Sequence, residues 1–240
     1  MNILVTGGTR GLGLEIVRQQ LAAGHDLFVV ARQPSQELEA LRQLYPQRLV
    51  FIACDLSQPA TIKATIFDAE MGKQLPLHAL VNNAAIAYDD IVSNVDLDKL
   101  DELYRVNVFS PIQLTRCAIR QMLLHRVQGS IVHISSVSAH TGYKGLAMYA
   151  STKGAIEAFS KNVAREWGAM GIRSNCVVPG FMETDMSASL SEEQKQRIFK
   201  RTSLQRSTEV KSAAATVGFL LSDAASSITG QEFFVDAGTI

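Results

Sequence analysis

Short runs of branched and apolar residues alternate along this chain with longer helical windows. The runs are Ile3–Thr6, Leu27–Ala31, Leu49–Ala53, Ala79–Val81, Ser130–Ser135, Ser174–Val178 and Glu232–Val235. Most are nearly unbroken rather than alternating, the pattern of strands covered on both faces. Between them the sequence predicts helices over Leu12–Ala23, Ser35–Tyr45, Pro59–Met71, Leu97–His125, Met148–Ala169 and Thr208–Leu221. Such alternation predicts βαβ units with right-handed crossovers. The expected fold is α/β: a single-domain, doubly wound (Rossmann) parallel sheet of seven strands with helices on both faces. Ligands of such folds bind beyond the carboxyl ends of the strands, so the residues following each strand are the ones to inspect.

Composition narrows the function classes. The 240 residues suffice for one large domain and are few for two. Hydrophobic residues make up 47% and charged residues 19%, which argues against disorder. Lys plus Arg and Asp plus Glu are 23 each, with no long basic run, so the charge footprint of a nucleic-acid binder is missing. Cys54, Cys117 and Cys176 form no Cys-x-x-Cys pair and are expected as reduced thiols. The histidines show no metal-binding spacing. The start Asn2-Ile3-Leu4-Val5-Thr6 does not read as a signal peptide, and no apolar run approaches the ~18 residues of a membrane span. The expected compartment is the cytoplasm.

The first strand leads into Thr6-Gly7-Gly8-Thr9-Arg10-Gly11-Leu12-Gly13, and a helix follows at once. Glycines let the backbone turn tightly and approach a pyrophosphate, and a helix N-terminus offers free N–H groups and a positive dipole end. The spacing is Gly-x3-Gly-x-Gly, and no Gly-Lys-Ser/Thr closes it, so it is not a P-loop. No acid stands at the end of the second strand to bind a ribose 2′-hydroxyl; Arg32 does, and Arg10 can reach the same place. Two guanidinium groups there suit a 2′-phosphate, which points to NADP; the alternative is that both are solvated surface residues. Asp55, after the third strand, is an adenine acceptor or a turn residue. After the fourth strand, Asn82-Asn83-Ala84-Ala85 permits close approach to a ribose and base, or forms a plain turn.

Tyr149 and Lys153 form Tyr-x-x-x-Lys at the start of a helix, one turn apart on one face. A phenol titrates near ~10, and a neighbouring ammonium favours its phenolate, which eases proton exchange with an alcohol or ketone. Ser136, just past the fifth strand, can hold the substrate oxygen; Ser135 and Ser138 compete with it. Asn107 lies inside the long fourth helical window, where Asn is a poor helix former. A water bound there would connect Lys153 to solvent.

In this order and at these intervals, the motifs resemble those of the short-chain dehydrogenase/reductase family over essentially the full chain. The resemblance rests on Thr6 to Gly13, Asn82-Asn83-Ala84, Asn107, Ser136, Tyr149, Lys153 and Pro179-Gly180. It implies Ser136 for substrate orientation, Tyr149 as acid/base, Lys153 on the nicotinamide ribose and Tyr149, and Asn107 in a proton relay. It implies cofactor contacts at Gly7, Thr9, Arg10, Gly11, Leu12, Gly13, Arg32, Asp55, Leu56, Asn82, Ala84, Tyr149, Lys153, Pro179, Gly180, Met182 and Thr184. Within the family the chain is most similar to 3-oxoacyl-(acyl-carrier-protein) reductases, through Pro179 to Met186, Phe219 to Asp223 and Ile228 to Gln231. It departs from them at Ala85, Asp236-Ala237-Gly238, Thr202-Ser203-Leu204, Met170 and Val127. The last two stand where basic residues often face the carrier protein.

The expected activity is therefore NADPH-dependent reduction of a 3-oxoacyl thioester. The alternatives are a ketoreductase or alcohol dehydrogenase for another carbonyl compound, and a non-catalytic NADP-binding sensor or scaffold. Glu183–Arg206 is expected to cover the substrate as a lid. Arg120, Arg126, Arg165 and Arg173, with Lys195, Arg197, Lys200, Arg201 and Arg206 around the lid, are expected as a cationic rim for an acidic carrier protein. Apolar residues around much of the helix Met148–Ala169, among them Ile156, Phe159, Val163 and Trp167, predict burial on two sides. A homotetramer is what the resemblance implies.

Overall fold

The computed structural model describes residues 1–184 and 191–240. Among them seven strands form one parallel sheet in the order β3-β2-β1-β4-β5-β6-β7. The strands are β1 (Asn2–Thr6), β2 (Asp26–Ala31), β3 (Leu49–Ala53), β4 (Ala79–Asn82), β5 (Ser130–Ile134), β6 (Arg173–Pro179) and β7 (Glu232–Val235). Strand order reverses between β1 and β4, the topological switch point where doubly wound folds open a crevice. Central strands such as β5 are buried throughout, which is why their sequences read as unbroken apolar runs. The edge strands β3 and β7 are less completely buried.

Two apolar layers sandwich the sheet. One face packs α1 (Gly11–Ala22), α2 (Gln36–Leu44) and α7 (Val210–Leu221) around Ile16, Val17, Leu38 and Val217. The other packs α4 (Ser110–Leu124) and α5 (Ala147–Trp167), with a π-helical stretch Lys63–Met71, around Ile66, Leu114, Met122 and Val163. Several of the apolar residues expected along α5 go into this layer. Ile156 and Val163 are buried, and Phe159 and Trp167 pack partly buried onto the chain's own core. No described helix is long and apolar enough to cross a membrane.

The window Leu97–His125 is not one helix. It divides into α3 (Leu97–Tyr104), a π-helical turn Arg105–Phe109, and α4. In the turn, the Ser110 N–H bonds the Arg105 carbonyl five residues back. The physical cause lies one residue on: an α-helix would pair the Asn107 carbonyl with the N–H of residue 111, and Pro111 has none. Such π-bulges recur at functional sites. A further helix, α6 (Glu192–Phe199), lies within the expected lid, whose residues 185–190, with the motif residues Asp185 and Met186, fall outside the described ones.

Candidate active site

The carboxyl ends of β1, β2, β4, β5 and β6 open into a cleft of about 1220 Å3. At its floor the glycine loop crosses from β1 to α1. Gly7 adopts φ +67°, a left-handed conformation, and a Cβ on Gly13 would lie 2.1 Å from the Gly7 carbonyl oxygen. The loop is therefore folded as tightly as glycine permits. Thr6 Oγ1 accepts from the N–H groups of Asn83 and Ala84, both at 3.0 Å, and the Asn83 amide donates to the carbonyls of Thr6 and Gly7. These bonds clamp the ends of β1 and β4 together at the switch point. Helix α1 begins without a side-chain cap and without an acid in its first turn, so its amide end suits an anion.

Gly7, Thr9, Arg10, Gly11, Leu12 and Gly13 all face this cleft, as do Arg32, Asp55, Leu56 and Ala84. So do Pro179, Gly180, Met182 and Thr184 from the end of β6 and the segment after it, together with Ser136, Tyr149 and Lys153. Asp55 also takes the turn role weighed against adenine recognition: its carboxylate accepts from the Ser57 N–H and hydroxyl. Asn82 is the exception among the expected cofactor contacts. It points into the core, donating to Thr115 Oγ1 and to His133 Nδ1, both at 3.2 Å. Its neighbour Asn83 faces the cleft and braces the loop, because successive residues past a strand point to opposite sides.

The serines sort by their partners. Ser135 also lines the cleft, but its hydroxyl is taken up by donation to Glu157. Ser138 donates its N–H and its hydroxyl to Ser136 Oγ. Ser136 faces the same cleft as Tyr149 and lies close enough to lower the Tyr149 pKa. Asn107 is buried, not exposed: its amide oxygen accepts from the Ile86 N–H at 2.9 Å, and its amide nitrogen donates to the Ile86 carbonyl and to Thr152 Oγ1. It fixes the segment 84–87, on one side of the cleft, to α5 through Thr152, without lining the cleft itself.

Lys153 is buried, and burial pushes its pKa down to about 8. Tyr149 is pushed up to about 12 by burial, against a lowering by the neighbouring Ser136 hydroxyl and with a further rise from Asp89. The expected lowering of the Tyr149 pKa by Lys153 is thus corrected for this arrangement. The ammonium donates to the Ile134 carbonyl and stands 5.5 Å from the Tyr149 ring centre.

The cationic rim is corrected as well. Arg126 precedes β5 and Arg173 begins β6, at the amino edge of the sheet; Arg120 and Arg165 lie in the late turns of helices running back to that edge. None of the four lines the cleft. Of the lid cations Arg201 does, beside Ile198 and Thr202. Lys195 pairs with Glu192 and Glu183, and Arg206 with Glu209. What the sequence did not reveal is the clamp of Thr6 on Asn83, which depends on a pairing 77 residues apart, and the contact of Glu157 with Ser135.

A family model described as enoyl-(acyl carrier protein) reductase matches residues 7–239. The chain belongs to the short-chain dehydrogenase/reductase family. This member of the family is 32% identical over 237 residues to the 3-oxoacyl-(acyl-carrier-protein) reductase of Salmonella typhimurium, covering 98% of this chain and 95% of that one. It is 33% identical over 241 residues to carbonyl reductase (NADPH) 2 of Sus scrofa, covering 99% and 96%. A gluconate 5-dehydrogenase from Burkholderia cenocepacia, solved in complex with NADP and tartrate, superposes with a TM-score of 0.92 at 28% identity, covering 99% of this chain and 94% of that one.

Proposed function

We propose that this short-chain dehydrogenase/reductase reduces a 3-oxoacyl thioester, carried on an acyl carrier protein, to the 3-hydroxyacyl thioester with NADPH. The observation that carries the reaction is that Ser136, Tyr149 and Lys153 line the same cleft as the glycine loop. The tight loop and the uncapped start of α1 fit a pyrophosphate, and Arg10 and Arg32 fit a 2′-phosphate. A nicotinamide held there would supply the hydride for the ketone carbon.

The chain's own groups do the rest. Ser136 Oγ orients the ketone oxygen. Tyr149 holds its proton at neutral pH and donates it to that oxygen. Lys153 binds the nicotinamide ribose and returns a proton to Tyr149, replenished by water near the Asn107 backbone. The described part of the lid, with Ile198, Arg201 and Thr202 on the cleft, covers the substrate, and the whole chain acts as one domain in the cytoplasm. The relatives that reduce 3-oxoacyl groups support the substrate class. Exposed Phe109 and Ile112 at the start of α4, and Phe219 on α7, support a homotetramer with two contact faces.

A second reading is reduction of a small free carbonyl compound, favoured by the carbonyl reductase relative and by the loss of the expected arginines from the cleft rim. One comparison separates the two. An acetoacetyl group on carrier protein is reduced more efficiently than on a short pantetheine mimic, and added salt narrows the difference, because steering is screened over roughly 8–10 Å at moderate ionic strength. Equal efficiency without salt dependence moves the assignment to the free carbonyl compound.

A further inference from the structure

Ser136 sits in a loop whose two ends are held by one side chain. Glu157 of α5 is buried, its side chain 8% exposed. Its Oε1 accepts a 2.5 Å hydrogen bond from Ser135 Oγ, directly before Ser136. The same oxygen accepts a 2.9 Å bond from His140 Nε2, just past the helical turn Val137–Ala139 that Ser136 caps. Glu157 stands four residues beyond Lys153 and eight beyond Tyr149, so all three share a face of α5. An outer ring backs the contact. Glu232 of β7 lies 3.7 Å from His140 Nε2 and 2.6 Å from Lys161, and Phe234 packs edge-on against the His140 ring. Donor atoms of His140, Glu157 and Glu232 converge within 4.8 Å, but Glu157 is engaged by two hydrogen bonds and Glu232 by an ammonium. The group therefore reads as a hydrogen-bonded clamp.

We propose that Glu157 is a positioning residue for the reaction: it ties both ends of the Ser136 loop to the helix that carries Tyr149, and so sets the separation of those two hydroxyls. This rests on the roles given above to Ser136 and Tyr149. Neither of those residues reaches the other's element through the backbone, since Ser136 follows β5 and Tyr149 is in the first turn of α5. A buried carboxylate is suited to the task because bonds to a charged acceptor are shorter and stronger than neutral ones.

The test compares Glu157→Ala, Glu157→Gln, Ser135→Ala and Tyr149→Phe in kcat, KM for acetoacetyl-pantetheine, NADPH affinity by fluorescence, and thermal midpoint. Glu157→Ala is expected to lower kcat by about 100-fold, the scale of a misplacement near 1 Å, while NADPH affinity holds. Glu157→Gln retains most of kcat, because its amide oxygen still accepts from Ser135 and its nitrogen can donate to the His140 ring. Wild-type kcat in Glu157→Ala overturns the proposal, and so does a Glu157→Gln as impaired as Glu157→Ala. If Glu157→Ala does not fold, Ser135→Ala decides: it removes one tether and is expected to cost roughly tenfold in kcat, and an unchanged kcat overturns the clamp. A fully active Tyr149→Phe removes the catalytic reading itself, whereas an inactive Tyr149→Phe beside an active Glu157→Ala removes the clamp alone.

Discussion

Lys153 Nζ donates a 2.8 Å hydrogen bond to the carbonyl oxygen of Ile134, the last residue of β5. One backbone carbonyl is modest compensation for a buried ammonium, which is why its pKa falls from 10.5 to about 8. That fall corresponds to roughly 3 kcal/mol against the charged form, at ~1.4 kcal/mol per factor of ten. Below about pH 8 the folded protein carries the whole penalty. Between about 8 and 10.5 the unfolded chain binds more protons, so stability from this group rises with pH. Lys153→Met is therefore expected to abolish turnover yet raise the melting midpoint at neutral pH by a few degrees, on the order of 1 kcal/mol after the lost hydrogen bond. The gain shrinks toward pH 10.5. Calorimetry across this range checks it, and a lowered midpoint at neutral pH contradicts it.

Tyr149, pushed up to about 12, keeps its proton throughout the neutral range. Ketone reduction should then show no fall attributable to loss of that proton as pH rises through neutrality. Alcohol oxidation needs the phenolate, so its rate should climb toward ~tenfold per pH unit. Tyr149→Phe keeps the ring, deletes the proton and is expected to cost roughly two to four orders of magnitude in kcat with NADPH binding intact. Retention of most activity in that variant would reassign the acid.

Arg32 lines the cleft directly after β2, where an acid would otherwise meet a ribose hydroxyl. NADPH should be preferred over NADH, and Arg32→Asp should invert that preference in kcat/KM by at least about tenfold, the scale of one lost charge-assisted bond. Equal efficiency with both cofactors before mutation refutes the idea.

Gly13 admits no side chain, because an added Cβ would stand 2.1 Å from the Gly7 oxygen and 2.5 Å from the Asn83 amide nitrogen. Gly13→Ala is expected to destabilise the protein by about 1–3 kcal/mol and to weaken dinucleotide binding, read by denaturant melts and fluorescence titration. Unaltered affinity would show that the loop does not cradle the ligand.

Much of the site was legible because local rules governed it. Tyr149 and Lys153 share a face by helical spacing alone, and the glycine loop follows a strand and opens a helix. Helix α6 was missed although its signal was present: Ser191 and Gln194 form a capping box before a polar segment. The division of Leu97–His125 was partly readable from Pro111, but the extent of the π-turn is secured by the Asn107 contacts to Ile86, across 21 residues.

The parallel direction and the burial of the strands followed from the apolar runs and their alternation with helices, since a strand covered on both faces must be apolar throughout, whereas the strand order came only with the structure. What the linear pattern could not decide was which of two adjacent polar residues faces the cleft. Asn83 rather than Asn82 faces it, and Ser136 rather than Ser135 keeps its hydroxyl off a buried acid; both outcomes depend on how each strand end pairs across the sheet and on what waits beside it: His133 and Thr115 for Asn82, Glu157 for Ser135. The proton affinities were likewise beyond local reading. Spacing places an ammonium near a phenol, but burial of both, and the Ile134 carbonyl that draws Lys153 aside, come only with the packed structure.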